Sequence, residues 1–215
     1  MSKIVVFGAG GTARRLITDE ATRRGHTVTA VVRDRSDVLD FAEGVNTVTG
    51  DPTDSRSVRA LAKGEDVFIV AVGGADNTVW LRAAQTLVET LAAIPGTIPR
   101  ILHMGGGSTL LTPQGGHFFD LPDFPEAFRG PALGQTEALD YYRGHANARV
   151  SWTYLSPPPV YFAPGQRTGK YRTGLDHPVE DATGRSSLSY EDFAIAMIDE
   201  VEQRKFINKR FTVGY

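Results

Sequence analysis

A chain of 215 residues with 23 Lys and Arg against 25 Asp and Glu is almost neutral, and long enough to bury one good core. That balance leaves no electrostatic footprint for nucleic acid or an anionic membrane, and no apolar run reaches the roughly 20 residues a membrane helix needs. The absence of cysteine removes disulfides, thiol catalysis and cysteine metal sites, so a single soluble, cytoplasmic domain is expected.

The first element is an apolar run, Ile4 to Phe7, of the kind found in parallel strands covered on both faces. It breaks at Gly8-Ala9-Gly10-Gly11, and a helical pattern follows with Ala13, Leu16, Ile17 and Ala21 on one face. In a strand, glycine turn and helix, backbone N–H groups and the positive helix end point at a phosphate. Glycines suit that turn because a Cβ would collide with a pyrophosphate or forbid the dihedrals. The fingerprint G-x-x-G-x-x-G falls on Gly8, Gly11 and Arg14, so its third glycine is missing. Arg14 either adds a charge to the phosphates or points to solvent.

The second strand, Thr27 to Val32, follows a helix closed by Gly25 and ends in Arg33-Asp34. A cation at this tip meets a 2′-phosphate, whereas an acid hydrogen-bonds a free ribose hydroxyl. Arg33 comes first, which points to NADP(H), with NAD(H) the alternative.

A short third strand, Val45 to Thr49, leads into the turn Gly50-Asp51-Pro52-Thr53-Asp54. Asp54 or Ser55 caps a helix through Lys63. The fourth strand is Asp66 to Val72, ending in Gly73-Gly74; the helix after it places Trp80, Ala83, Ala84, Leu87, Val88 and Leu91 inward and stops at Pro95-Gly96. The fifth strand, Arg100 to Met104, runs into Gly105-Gly-Gly-Ser-Thr109, and Leu110 to Pro131 reads as an irregular insertion. A helix from Gln135 to Ala146 turns Leu139 and Tyr142 inward. Strand six is Ser151 to Leu155, followed by Ser156-Pro-Pro-Pro159 and a second long loop to Ser189. Ser189-Tyr-Glu-Asp192 reads as a capping box opening a helix to Arg204, and Arg210 to Val213 as a last strand. Alternating strands and helices predict a doubly wound parallel sheet, a Rossmann fold, with ligands at the carboxyl ends of its strands. The loops 105–131 and 156–189 are expected to cover the substrate site.

Little in the sequence marks a strong catalyst. No Tyr-x-x-x-Lys pair, G-x-S-x-G elbow or histidine metal spacing occurs, so no metal is expected. Tyr141 and His145 share a helix face, where such a pair is ordinarily inert. Ser108, just past strand five, either donates a hydrogen bond near a nicotinamide or is a plain turn serine. Arg167, Lys170, Arg172 and Tyr171 on the second loop either clamp an acidic substrate or anchor the loop by ion pairs. Asp120, Asp123 and Glu126 read as a solvated face.

The chain resembles the atypical short-chain dehydrogenase/reductases of the NADH-flavin reductase, biliverdin reductase B-like and NmrA-like kind. The resemblance is carried by Gly8-Ala-Gly-Gly11, Arg24 to Arg33, Gly50 to Asp54, Gly105 to Ser108, Pro122 to Pro125, Trp152 to Pro157, Pro164 to Arg172 and Arg210 to Tyr215. It implies a pyrophosphate against Gly8, Gly11, Thr12 and Ala13, and a 2′-phosphate on Arg33. It further implies adenine beside Asp51 and Pro52, ribose and diphosphate along Val72, Gly73 and Gly74, and nicotinamide near Met104, Gly105 and Pro157. The chain departs from the family at Arg14, where glycine is usual, and at Gly10, where threonine is common. Three functions are compatible: hydride transfer from NAD(P)H to a flavin, quinone or conjugated carbonyl; NADP(H) sensing without turnover; and an isomerase, lyase or cyclase step on a recruited fold. The expected partner is a small-molecule substrate, with the chain a monomer or homodimer.

Overall fold

The computed structural model describes residues 1–34 and 41–215, so part of the polar stretch after Asp34 lies outside the described residues. Its central strands are β1 (Lys3–Phe7), β2 (Thr27–Val32), β3 (Asn46–Thr49), β4 (Val67–Val70), β5 (Arg100–Met104) and β6 (Trp152–Ser156). The helices are α1 (Thr12–Arg23), α2 (Ser55–Leu61), α3 (Val79–Ala92), α4 (Arg129–His145) and α5 (Tyr190–Gln203). Three shorter strands, β7 (Tyr161–Ala163), β8 (Arg172–Gly174) and β9 (Ser187–Ser189), precede β10 (Lys209–Gly214).

The main sheet runs β3-β2-β1-β4-β5-β6-β10-β8, and β7 pairs with β9 in a small second sheet. Parallel pairing joins every neighbour from β3 to β10; only β8 lies antiparallel, along β10. The order reverses between β1 and β4, the switch point at which two connections leave in opposite directions and open a crevice. α1 packs on α5 over one face, while α2, α3 and α4 cover the other. Ile4, Val6 and Ile17 belong to the first layer; Val5, Phe7 and Leu87 belong to the second. Each such side chain contributes about 1.5–3 kcal/mol by leaving water.

Gly25 adopts φ +79° just past α1, Asp54 caps α2 through the Arg56 N–H, and all six expected α3 positions are buried. Four details differ from expectation. β4 is confined to Val67–Val70, although the Ala71 N–H just past it still donates to the Phe7 carbonyl of β1. α4 begins at Arg129 rather than Gln135, so the insertion is shorter and holds three 3-10 turns, Gly107–Thr109, Phe118–Asp120 and Glu126–Phe128. Pro131 sits in the first turn of α4, where its missing N–H is an orphan anyway. Gly134 belongs to the helix because a Cβ there would lie 2.0 Å from the Asn77 carbonyl oxygen. The second long loop is not structureless: it carries β7, β8 and β9.

The fourth difference is the capping box. Ser189 does cap α5 by accepting from the Asp192 N–H, but Asp192 does not reach back. Its carboxylate, fully buried, accepts the N–H groups of Thr168 and Gly169 at 2.9 Å each, the Thr168 hydroxyl and the Tyr215 hydroxyl. Arg167 reaches both oxygens of Glu20 on α1 at 3.1 Å, and Tyr171 donates to Asp199. Arg172 donates to the carbonyls of Glu180 and Tyr215. These side chains therefore anchor the loop to α1, α5 and β10. The two long loops also meet, since Leu111 donates to the Asp176 carbonyl and Arg210 joins the Asp176 carboxylate to the Thr109 carbonyl.

Candidate functional site

A cavity of about 410 Å³ opens at the switch point. The turn after β1 supplies Gly8, Gly10, Gly11 and Arg14; the tip of β2 supplies Val32 and Arg33. Gly50, Asp51 and Pro52 follow β3, Val72 and Gly73 follow β4, and Val79 opens α3. Gly8 adopts φ +78°, and a Cβ there would lie 2.5 Å from the Ala71 carbonyl oxygen. Its lack of a side chain thus lets the tips of β1 and β4 close together, beyond any need of a ligand. Asp51 is fastened by the Thr53 N–H and hydroxyl at 2.7 Å, and the Trp80 indole donates to the Val72 carbonyl at 3.1 Å. Local bonds therefore fix both rims without help from a ligand.

The walls carry two arginines and one carboxylate, Asp51. Arg33 is exposed at the end of β2. Arg14 is half-buried; burial, and secondarily the Arg33 charge, lower its guanidinium below the ordinary arginine value. Two like charges border one cavity, with no carboxylate paired to either among the described residues, and their field favours an anion.

The remaining expected residues lie outside these walls. Thr12 and Ala13 are in the first turn of α1, and Gly74 is exposed past β4. Met104 ends β5 with Gly105 just past it, Pro157 is buried past β6, and Ser108 is half-buried in the 3-10 turn 107–109. A Cβ on Gly107 would lie 2.7 Å from the Pro157 carbonyl oxygen, which brings the ends of β5 and β6 against each other.

Below them sits a group that sequence reasoning missed. His103 on β5 is fully buried, its Nδ1 3.0 Å from the Tyr142 hydroxyl and its ring stacked on Tyr154 at 5.0 Å. Burial pushes its pKa down to about 3, and burial raises the phenols of Tyr142 and Tyr154. None of the three holds a proton it can readily release or take near neutral pH. Tyr141 stacks on His145 at 4.2 Å and donates to Glu89 on the surface, an inert arrangement.

A larger recess of about 770 Å³ lies at the opposite end of the sheet. Three of its four arginines are engaged: Arg24 with Glu20 and Asp199, Arg100 with Glu200, Arg149 with the carbonyls of Ile94 and Gly96. It stands at the amino ends of the strands, away from the switch point, and the smaller cavity is the better candidate.

Residues 8–204 match the model of a family described as NAD(P)H-binding. The chain belongs to that family. This agrees with the resemblance to atypical short-chain dehydrogenase/reductases and NmrA-like proteins. Among relatives of this NAD(P)H-binding chain is the protein YwnB of Bacillus subtilis strain 168, 34% identical over 98% of this chain and 97% of that one. A Bacteroides thetaiotaomicron protein provisionally named an epimerase superposes with TM-score 0.88 at 31% identity, over 100% of this chain and 97% of the other. SP1627 of Streptococcus pneumoniae TIGR4, provisionally named an NADH-flavin reductase, gives TM-score 0.85 at 28% identity, over 100% and 99%. The glycine corner and the two arginines stand at the end of the sheet where such a family holds its nucleotide. Among the described residues no cluster of His, Asp or Glu suits a metal, and no helix is long and apolar enough to cross a membrane.

Proposed function

We propose that this chain is a cytoplasmic NADPH-dependent oxidoreductase that passes hydride to a flavin, quinone or conjugated carbonyl. The observation that carries the reading is the cationic cavity at the strand-order reversal, with Arg14 and Arg33 both on its walls. When bound, NADPH supplies the hydride. Gly8, Gly10, Gly11, Thr12 and Ala13 receive the diphosphate, Arg33 pairs with the 2′-phosphate, and Asp51 and Pro52 border the adenine. Val72, Gly73 and Gly74 flank the ribose. Met104, Gly105 and Pro157 floor the ring, Ser108 orients the acceptor, and the loops 105–131 and 156–189 exclude water above it.

The acceptor class follows from what the site lacks. The tyrosines and histidine beneath the β5 and β6 tips are locked in their neutral forms by burial. An acceptor that must be protonated by a strong acid is poorly served there. Flavins, quinones and conjugated carbonyls take hydride with protonation by water or a weak hydroxyl donor.

The test is NADPH oxidation by the pure protein with a panel of these acceptors, followed at the reduced-nicotinamide absorbance. Steady turnover with at least one class is expected; no loss of absorbance with any of them rejects the reading. Tight NADP⁺ binding without turnover would establish the sensor alternative, which the neutral tyrosines also favour.

A further inference from the structure

Arg14 is placed unlike the other sheltered arginines of this chain. Arg24, Arg100 and Arg210 each meet a carboxylate within 3.1 Å. The Arg14 guanidinium has no carboxylate partner among the described residues, and the one charged group acting on it is Arg33, of like sign. Its side chain folds back over the start of α1: a Cβ on Gly11 would lie 3.1 Å from Arg14 Cδ and 3.3 Å from Nη1. Its far end reaches the tip of β4, where a Cβ on Gly73 would lie 2.6 Å from Nη2. The guanidinium therefore bars the gap between β1 and β4. Arg33 stands on the other side of β1, at the end of β2.

We propose that Arg14 is the side chain that joins the glycine turn in binding the diphosphate, its guanidinium spanning Gly11 and Gly73 to hold that anion while Arg33 serves the 2′-phosphate. The inference rests on the nucleotide-binding reading above and assigns the two cations to different anionic groups of one ligand. A planar guanidinium offers paired donors to phosphate oxygens, and the narrow gap leaves them few competitors. At this place an arginine supplies by side chain what a third glycine would leave to the backbone.

The test is calorimetric titration of the full chain and its Arg14→Ala, Arg14→Gln and Arg14→Lys variants with NADPH, ADP and adenosine 2′-monophosphate. Arg14→Ala is expected to weaken NADPH and ADP by about 10–100-fold, and adenosine 2′-monophosphate by less than about twofold. Arg14→Lys is expected to fall between, as a point charge without the paired donors. Arg14→Gln repeats the loss of charge at nearly full length, should the alanine variant fold poorly. Unchanged ADP affinity in both neutral variants overturns the proposal. So does a loss confined to ligands carrying a 2′-phosphate, which would move Arg14 to Arg33's side. Wild-type protein that binds ADP in an Arg14-dependent way but neither pyridine nucleotide would sustain this inference and overturn the oxidoreductase. Protein that binds none of the three overturns both.

Discussion

Reversing the charge of Arg33 tests the cofactor preference most directly. The side chain is exposed at the end of β2 and borders the same cavity as Asp51 and Pro52, so Arg33→Glu disturbs no packing. It is expected to cost about 1–3 kcal/mol of NADPH binding and to leave NADH binding nearly intact. Equal losses measured by calorimetry for the two nucleotides would remove Arg33 from the 2′-phosphate. The position of Arg33 was legible in the sequence, because a cation one residue past an apolar strand falls at its tip. Arg14 was legible as an exception and not as a contact: where its long side chain goes depends on Gly73, 59 positions away and glycine as well. His103 gave no signal, since one polar residue inside an apolar strand does not reveal Tyr142 and Tyr154 closing over it.

Among the elements, the strap formed by residues 164–172 depends on Asp192. Among the described residues this carboxylate has no cation and is held by donors from Thr168, Gly169 and Tyr215. Asp192→Asn keeps the shape but removes the charge that strengthens the bonds from Thr168 and Gly169 and replaces the oxygen that accepts the Thr168 and Tyr215 hydroxyls, and about 1–3 kcal/mol of stability should go with it. Chemical denaturation gives the global loss, and hydrogen exchange at Thr168 and Gly169 should accelerate most; unchanged exchange there would show the strap held by Arg167 and Tyr171 alone. The regular strands and helices were readable from apolar periodicity, as in Ile4 to Phe7 and along α3. β8 was not, because Arg172-Thr-Gly174 has no apolar run and exists only by pairing with β10. The start of α4 was hidden by Gly130, Pro131 and Gly134, which read as loop until Asn77 is seen to need the space.

At the scale of the whole molecule, His103 ties acid stability to the fold. In the unfolded chain it takes up a proton near pH 6.5, whereas in the native core burial postpones that to about pH 3. Between those values the unfolded state binds more protons, so this contribution is fully present above pH 6.5 and is lost as the pH falls, by at most about 1.4 kcal/mol per pH unit. His103→Phe deprives the Tyr142 hydroxyl of its partner and lowers stability at neutral pH, yet it should flatten the acid limb within that window. Urea unfolding at several pH values separates the two effects, and an unaltered acid slope would count against a neutral native imidazole.

The sheet also ends narrowly on both sides, with four residues in β3 and three in β8. Free amides and carbonyls along a margin are what a second molecule zips onto, and neither margin offers a run long enough to start. Edge-to-edge joining of two copies through either margin of the main sheet is therefore disfavoured, and crowded solutions of the chain should be spared ribbon-like growth.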